Sequence, residues 1–473
     1  MYPGLKKAAS SRSLNLDGQA VRVAARAPAI RPKGYVFPAI LLTVQALILM
    51  IPEGFDYRQT AVAAGMPTEG DPLSRLVWIF LTIGALYVLI NNRSKTTRLL
   101  KRFNPFIIAF LGLATLSVFW SIEPVVTVRR VYRFATILIV CMAFVVQGWH
   151  PRRYQNVART LLTLVLIASI IFVLVAPQYA VQAQLDPALK GAWRGITVGK
   201  NILGPLASDA LILWLHAWLS KEAKPAAAAS GLLLSLLVLI KSRSDDAILA
   251  TLFGVPFMLL LLWQAGGTLR RYMPYVVGLF ALVIGAYALA VLNLIPGSDT
   301  LLKPVTLLTG KTLTFSNRTA IWAVLEAHIH LHPLLGTGYG AYWYDSPDSP
   351  SQYMVRVLYF YPTEGHNGYL DVINDTGYVG FSLLIGYFIS YLRQSLYLMR
   401  SDRAQAALYL TLLFRAFLGD FSESHWFNVL IIGFLLMTLA TAGLSRSYLD
   451  ARTGAASAFR RKGVRAPGIA QMR

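Results

Sequence analysis

The chain has 473 residues, of which 56% are hydrophobic and only 14% are charged. A soluble chain of this length usually carries about 25% charged residues and divides into two or three domains. The net charge of +22 would suit a nucleic-acid partner, but the cations cluster in the terminal tails and in alternate loops between apolar runs, which is typical of membrane topology. We therefore predict no nucleic-acid partner. The single cysteine, Cys141, excludes an intrachain disulfide and a cysteine metal cluster.

The apolar runs predict an all-α, polytopic integral membrane helix bundle. A helix needs about 20 mostly apolar residues to cross the hydrocarbon core. Lipid provides no partner for backbone polar groups, so only helices and closed barrels span it, and continuous runs favour helices. We predict about twelve transmembrane helices, near 37–52, 73–90, 105–120, 131–148, 160–176, 202–219, 227–240, 247–264, 273–295, 376–392, 405–418 and 427–443.

The distribution of charge predicts the orientation. With both termini in the cytoplasm, 29 of the 44 Lys and Arg residues lie in cytoplasmic segments, as the positive-inside rule requires. Only four of the 22 acidic residues fall on that side. The predicted segments are a cytoplasmic basic tail (1–36), nine helices (37–295), a periplasmic loop (296–375), three helices (376–443) and a second cytoplasmic basic tail (444–473).

The periplasmic loop contains a distinctive series of motifs: FSNRTAIW (315–322), HPLLGTGYG (332–340), HNGYLD (366–371) and, opening the next span, GYVG (377–380). Earlier pieces are WSIEP (120–124), RG (194–195), GKN (199–201) and GP (204–205). In this order, over roughly 105–440, the motifs resemble the O-antigen ligase and Wzy-type polysaccharide polymerase superfamily, and most of all its exopolysaccharide polymerases.

The resemblance implies a membrane glycosyltransferase. Such enzymes transfer a glycan from an undecaprenyl-pyrophosphate carrier to an acceptor sugar hydroxyl on the periplasmic face of the bacterial inner membrane, without a metal or another cofactor. Polymerase and ligase share these motifs, so ligation to the lipid A-core stays an alternative. The implied partners are the lipid-linked glycan, the acceptor glycan and the bilayer, with a flippase and a chain-length regulator as further candidates.

His366 is the candidate general base. The attacking hydroxyl must lose a proton, and histidine, with an unperturbed pKa of about 6.5, is largely neutral at pH 7. His366 lies just before a span, where the headgroup of the carrier is expected, and Glu364 or Asp371 is expected to orient it. The alternative is a loop histidine that bonds a backbone carbonyl.

Arginines are the candidate ligands of the pyrophosphate, because a guanidinium stays charged and binds phosphate oxygens through two bonds. Arg194 and Arg243 lie in outer loops, against the positive-inside trend, and the resemblance implies that they contact the pyrophosphate. The alternative is pairing with Asp245 or Asp246, or with lipid headgroups. Arg318 has the alternative of a salt bridge that pins a loop helix.

A second arginine group lies at the outer, N-terminal end of a predicted span. Cations there oppose the helix dipole, so Arg129, Arg130 and Arg133 are expected to face Glu123, a lipid phosphate or the substrate.

The remaining candidates have no assigned role. His328 and His332 share a helix face, as in zinc sites, but no HExxH glutamate follows, and Pro333 is expected to end the helix. Asp209 and Arg415 fall within spans, where ionic residues are functional by default, with structural pairing as the alternative. Glu423 is a lesser candidate in the last outer loop. Eight loop aromatics suit either sugar stacking or the membrane interface: Tyr339, Tyr342, Trp343, Tyr344, Tyr353, Tyr359, Phe360 and Tyr361.

A transporter of lipid-linked glycan or polysaccharide is the alternative function from another class of protein.

Overall fold

The computed structural model describes residues 34–50, 72–147, 153–182, 190–263, 318–344, 350–351, 362 and 364–461. Every regular element in this part of the chain is helical, apart from one isolated bridge between Val181 and Trp193. The α-helices are α1 (Val36–Met50), α2 (Pro72–Asn91), α3 (Arg93–Leu100), α4 (Pro105–Leu116), α5 (Pro124–Val146), α6 (Arg153–Val175), α7 (Pro177–Ala180), α8 (Lys200–Leu219), α9 (Pro225–Ser242), α10 (Asp245–Leu262), α11 (Arg318–Leu331), α12 (Gly368–Leu398), α13 (Arg403–Gly419) and α14 (Ile432–Arg461).

The structure confirms a polytopic membrane helix bundle. Within the described ranges, seven helices are long and apolar enough to cross a membrane: α2, α6, α8, α9, α10, α12 and α14. The successive helices α3 and α4 form an eighth candidate, bent by 94°. Helix α5 carries three arginines, while α1 and α13 have 15 and 17 residues. The predicted span 273–295 lies outside the described residues, and the number twelve stays a prediction.

Two helix boundaries in the motif region have clear local causes. Helix α11 ends at Leu331, two residues before Pro333, as expected. Helix α12 is kinked at Gly377, whose φ of +66° and ψ of −170° are not helical. A Cβ there would lie 2.1 Å from the carbonyl oxygen of Leu334, so only glycine fits against that loop. The kink separates a short outer helical segment from the span that follows.

Helices α8 and α13 run antiparallel and are joined by polar contacts along their length. Asn201 Nδ2 donates to Glu423 Oε1 at 2.7 Å, just beyond the end of α13. Eight residues further along α8, Asp209 Oδ1 lies 2.7 Å from Arg415 Nε. At the other end, His216 Nε2 lies 2.9 Å from the carbonyl oxygen of Ala404. The two helices are therefore held in one register from end to end.

An aromatic cluster packs beneath the loops at the Asn201 end of this pair. The rings of Phe110 and Phe427 stack at 4.0 Å between centroids, and Phe134 contacts both. Tyr339 approaches Phe110 edge-on and donates its hydroxyl hydrogen to the carbonyl oxygen of Phe427. These aromatic contacts thus pack α4, α5 and the loop before α14 against one another.

The predicted topology is testable with reporter fusions. Fusions after Leu307 and Ser349 are expected to report the periplasm, and fusions after Lys95 and Ala456 the cytoplasm, because 29 of 44 basic residues favour that orientation. Paired alkaline phosphatase and green fluorescent protein fusions measure both sides. A cytoplasmic signal from the 296–375 loop would overturn the orientation.

Candidate functional site

His366 is held in a strained backbone conformation at the start of α12. Its φ of +49° lies in the left-handed region, which costs a non-glycine residue about 1–3 kcal/mol. The next residue, Asn367, caps the helix by accepting hydrogen bonds from the N–H groups of Tyr369 and Leu370, at 3.1 and 3.2 Å. The left-handed φ and this cap together set the direction in which the imidazole leaves the backbone.

Two carboxylates meet the same nitrogen of His366. Nδ1 lies 3.2 Å from Glu364 Oε1 and 3.4 Å from Glu423 Oε2. Within the described part of the chain, no hydrogen bond reaches Nε2. The His366 side chain is 26% exposed. The imidazole is therefore anchored through one nitrogen and leaves the other for a substrate, the arrangement that a carboxylate-oriented base requires.

The charge of this cluster differs from the expected one. Burial alone lowers the pKa of His366, but hydrogen bonds and charge from Glu364 and Glu423 outweigh it and raise the pKa to about 10. Burial raises the pKa of Glu364 to about 6. Burial also acts to raise the pKa of Glu423, but His366 and Arg318 lower it to about 2. In the substrate-free chain, His366 is an imidazolium at pH 7, not the neutral ring expected from its ordinary pKa.

Arg318 joins the cluster through Glu423. Its Nη2 donates to Glu423 Oε1 at 3.0 Å, and its Nη1 lies 3.6 Å from Asp246 Oδ2. Arg318 therefore forms salt bridges that fix the start of α11, as the structural alternative for this residue predicted. The Arg318 side chain keeps 18% of its surface exposed, and its contact with a pyrophosphate stays a prediction.

Arg243 lies near the same end of α8. It ends α9 with a φ of +51°, and its Nη1 donates to the carbonyl oxygen of Lys190 at 2.7 Å. Lys200, the first residue of α8, donates from Nζ to the carbonyl oxygen of Arg243 at 3.2 Å. Asp246, one of its two expected partners, pairs with Arg318. The first turn of α8 thus contacts Arg243 through Lys200 and Glu423 through Asn201.

Arg194 is more enclosed than Arg243. It is 8% exposed, and its Nε donates to the carbonyl oxygen of Tyr179 at 2.6 Å. Its neighbour Trp193 donates a backbone hydrogen bond to the carbonyl oxygen of Lys241, which ties this loop to the end of α9. The roles of Arg194 and Arg243 at a pyrophosphate stay predictions.

The three arginines of α5 diverge. Arg130 is buried, and Asp375 is an anionic neighbour of it. Gly340 covers Arg130 so closely that a Cβ would lie 2.2 Å from its Cδ. Arg133 lies over the ring of Trp78 at 5.5 Å, while Arg129 is half-buried. A cavity of about 40 Å³ lies between Arg130 and Glu364, so Arg130 is the member that borders the candidate site.

Asp371 acts on the backbone before His366, not on its ring. Oδ1 accepts from Trp343 Nε1 at 2.8 Å, and Oδ2 accepts from the N–H of Gly365 at 2.9 Å. Of the two expected orienting groups, Glu364 therefore contacts the imidazole and Asp371 supports the loop that carries it.

The loop aromatics within the described residues are mostly internal. Tyr339, Tyr342 and Trp343 are buried, and Tyr344 is half-buried. Tyr339 borders the same cavity as Arg130. The other four candidates for sugar stacking, residues 353 and 359–361, lie outside the described residues.

His328 of α11 has a structural partner. His328 Nδ1 lies 2.8 Å from Asn374 Oδ1, and its ring is 5.6 Å from that of His332. The group with metal-ligand spacing is instead Glu364, His366 and Glu423, whose candidate atoms all lie within 4.8 Å of one another. Arg318 already occupies one oxygen of Glu423, and His366 would have to lose its proton to bind a cation.

Glu423 and Asn201 are the central residues that sequence reasoning underrated. Glu423 contacts a histidine 57 positions earlier, and Asn201 belongs to the GKN motif but had no assigned role. The available signal was composition: residues 420–425 read DFSESH, an unusually polar stretch between two apolar helices.

Comparisons with known proteins agree with the resemblance that the motifs carry. Residues 229–385 match the family model described as O-antigen ligase. The chain is also 27% identical over 287 residues to "Exopolysaccharide production protein ExoQ" of Rhizobium meliloti (strain 1021). That alignment covers 59% of this chain and 62% of the relative's length. The matched family region contains Arg243, Arg318 and His366, and ends within α12.

Proposed function

We propose that this chain, whose residues 229–385 match the O-antigen ligase family, is a membrane glycosyltransferase. It takes a glycan from an undecaprenyl-pyrophosphate carrier and joins it to an acceptor sugar hydroxyl. The reaction takes place on the periplasmic face of the bacterial inner membrane. The product is an exopolysaccharide or O-antigen polymer, because the motifs most resemble those of exopolysaccharide polymerases and the similar protein is named for exopolysaccharide production.

The observation that carries this proposal is the link from His366 through Glu423 to Arg318. Glycan transfer requires a proton acceptor for the attacking hydroxyl and cations for the leaving pyrophosphate. Here a histidine with an open Nε2 and an arginine with an exposed edge share one carboxylate, 3.4 and 3.0 Å away.

The proposed step balances with these groups alone. The acceptor oxygen forms a bond to the anomeric carbon of the donor glycan, and the bond from that carbon to the pyrophosphate oxygen breaks. Nε2 of the deprotonated His366 takes the hydroxyl proton. Arg318 and Arg243 stabilise the charge on the leaving pyrophosphate, with Arg194 and Arg130 as further cations near this end.

Ligation to the lipid A-core is the second candidate, because the matched family is described as O-antigen ligase. The two differ only in the acceptor. Offered both a second lipid-linked repeat and lipid A-core, a polymerase produces a ladder of lengthening glycans, and a ligase transfers one chain to the core.

The proposed reaction is tested with purified full-length protein in nanodiscs and an undecaprenyl-pyrophosphate-linked repeat unit. We expect longer glycans and free undecaprenyl pyrophosphate to appear without a nucleotide sugar, and turnover to survive EDTA because arginines act on the leaving group. Gel separation of the glycans and mass spectrometry of the lipid measure both products.

Two outcomes of that assay count against the proposal. No product with either acceptor rejects the transferase function. Loss of turnover in EDTA that a divalent ion restores would replace the arginine mechanism with a metal at Glu364, His366 and Glu423.

A further inference from the structure

Glu423 occupies a fixed position between α13 and α14. The backbone carbonyls of Asp420 and Glu423 both accept the N–H of Gly368, at 2.9 and 3.0 Å. The turn is therefore fastened directly to the start of α12, two residues after His366. The Glu423 side chain is only 7% exposed, so its carboxylate makes its contacts within the protein.

The two oxygens of this carboxylate serve different parts of the site. Oε2 accepts from His366 Nδ1 at 3.4 Å. Oε1 accepts from Arg318 Nη2 at 3.0 Å and from Asn201 Nδ2 at 2.7 Å. Hydrogen bonds that involve an ionised partner are about twice as strong as neutral ones. Oε2 therefore orients His366, and Oε1 orients Arg318 and Asn201.

Glu364 differs from Glu423 in the groups that its carboxylate contacts. Its carboxylate meets His366 Nδ1 at 3.2 Å and has no ion pair with Arg318 among the described residues. The other charged groups around the imidazole are Asp371 of α12, Arg318 of α11 and, beyond Arg318, Asp246 of α10. Glu423 contacts both the histidine and the arginine.

We propose that Glu423 is the positioning residue of this site, and that its single carboxylate sets His366 and Arg318 relative to each other. This inference rests on the proposed function, in which His366 takes the proton and Arg318 holds the pyrophosphate. It assigns Glu423 no contact with the substrate. Glu364, in contrast, contacts His366 and Glu423 but not Arg318 among the described residues.

The test compares Glu423→Gln with the matched control Glu364→Gln, using two measurements that do not require turnover. The first is the His366 pKa, from NMR titration of histidine-labelled protein in nanodiscs, with His366→Ala to assign the signal. The second is the affinity for undecaprenyl pyrophosphate. Size-exclusion chromatography checks that each variant is folded.

We expect both variants to lower the His366 pKa by one unit or more, because each removes an opposite charge. Only Glu423→Gln is expected to weaken undecaprenyl pyrophosphate binding, by about fivefold or more, because it removes the charge that pairs with Arg318 at 3.0 Å and leaves the longer contact with Asp246 at 3.6 Å. Affinity for Glu364→Gln should stay within about twofold of the wild type.

A Glu423→Gln variant that changes only one measurement overturns the positioning role. If Glu423→Gln fails to fold, Arg318→Gln tests the link from the other side. It frees Oε1 and removes a cation, so the His366 pKa should rise, and an unchanged value overturns the proposal. If the wild type transfers glycans but Glu423→Gln does not change both measurements as expected, the positioning role is rejected and the proposed function stands. If the wild type neither binds the lipid nor transfers glycans, the proposed function itself is rejected.

Discussion

Replacing His366 with alanine is expected to lower glycan transfer by about 100- to 10,000-fold, the usual contribution of general acid–base catalysis. The variant should still bind undecaprenyl pyrophosphate, because Arg318 keeps its contacts with Glu423 and Asp246. Steady-state turnover and lipid affinity of the purified protein separate the two effects. His330, an exposed histidine of α11, supplies the matched control, and His330→Ala should be as active as the wild type.

In cells, the same variant separates a transferase from a transporter. Lipid-linked repeat units should accumulate on the periplasmic side while polymer disappears, because flipping precedes the proposed reaction. Units retained on the cytoplasmic side would mean that the chain moves glycans across the membrane. Unchanged turnover in vitro would remove His366 from the mechanism.

The charge of His366 adds a pH dependence to this prediction. Despite burial, which lowers it, the pKa of His366 is raised to about 10 by Glu364 and Glu423, so only a small fraction of the ring can accept a proton at pH 7. We expect kcat/KM to rise with pH towards that value. Glu364→Gln lowers the His366 pKa and should move the rise to lower pH. A profile that stays flat between neutral pH and about 10 would contradict the base role.

Removing Asp209 alone is expected to be the most destabilising single change in the membrane region, at about 3–5 kcal/mol. Arg415 Nε lies 2.7 Å from Asp209 Oδ1, and the two side chains are 4% and 7% exposed. Asp209→Ala leaves the guanidinium buried without its carboxylate, at a depth where charge is costly. Thermal unfolding in detergent and protein yield from membranes measure the loss.

The paired variant Asp209→Leu/Arg415→Leu is the control for this prediction. It removes both charges and fills the space with apolar side chains, so its stability should return close to that of the wild type. If the double variant is stable but inactive, the ion pair has a functional role as well. If Asp209→Ala is as stable as the wild type, the pair does not hold α8 to α13.

The sequence predicted the helical bundle well because its signal is local. Apolar runs and the positions of cations are visible one segment at a time, and helices occur at all eleven predicted spans that lie within the described residues. Pro333 likewise marked the end of α11, and the GYVG motif marked the start of a span, although the kink at Gly377 and the helical segment before it were not predicted.

The site was only partly predictable because its geometry is non-local. His366 and Glu364 are close in sequence, but Glu423 is 57 residues from His366 and 105 from Arg318. No pattern could show that Asp209 and Arg415 pair, since 206 positions separate them. The protonation of His366 follows from two carboxylates on one nitrogen, which only the folded arrangement reveals.

The shortness of two helices affects where the reaction centre lies in the bilayer. Helix α4 and the turn after it reach from Pro105 to Phe119, and α13 has 17 residues, so each is about 22–26 Å long. The hydrocarbon core is about 30 Å thick, and a bilayer relieves such a mismatch by thinning locally. Thinning would bring the outer headgroups towards the turn that carries Glu423. Transfer should then slow in nanodiscs made from lipids with longer acyl chains, because the carrier's pyrophosphate would lie further from His366.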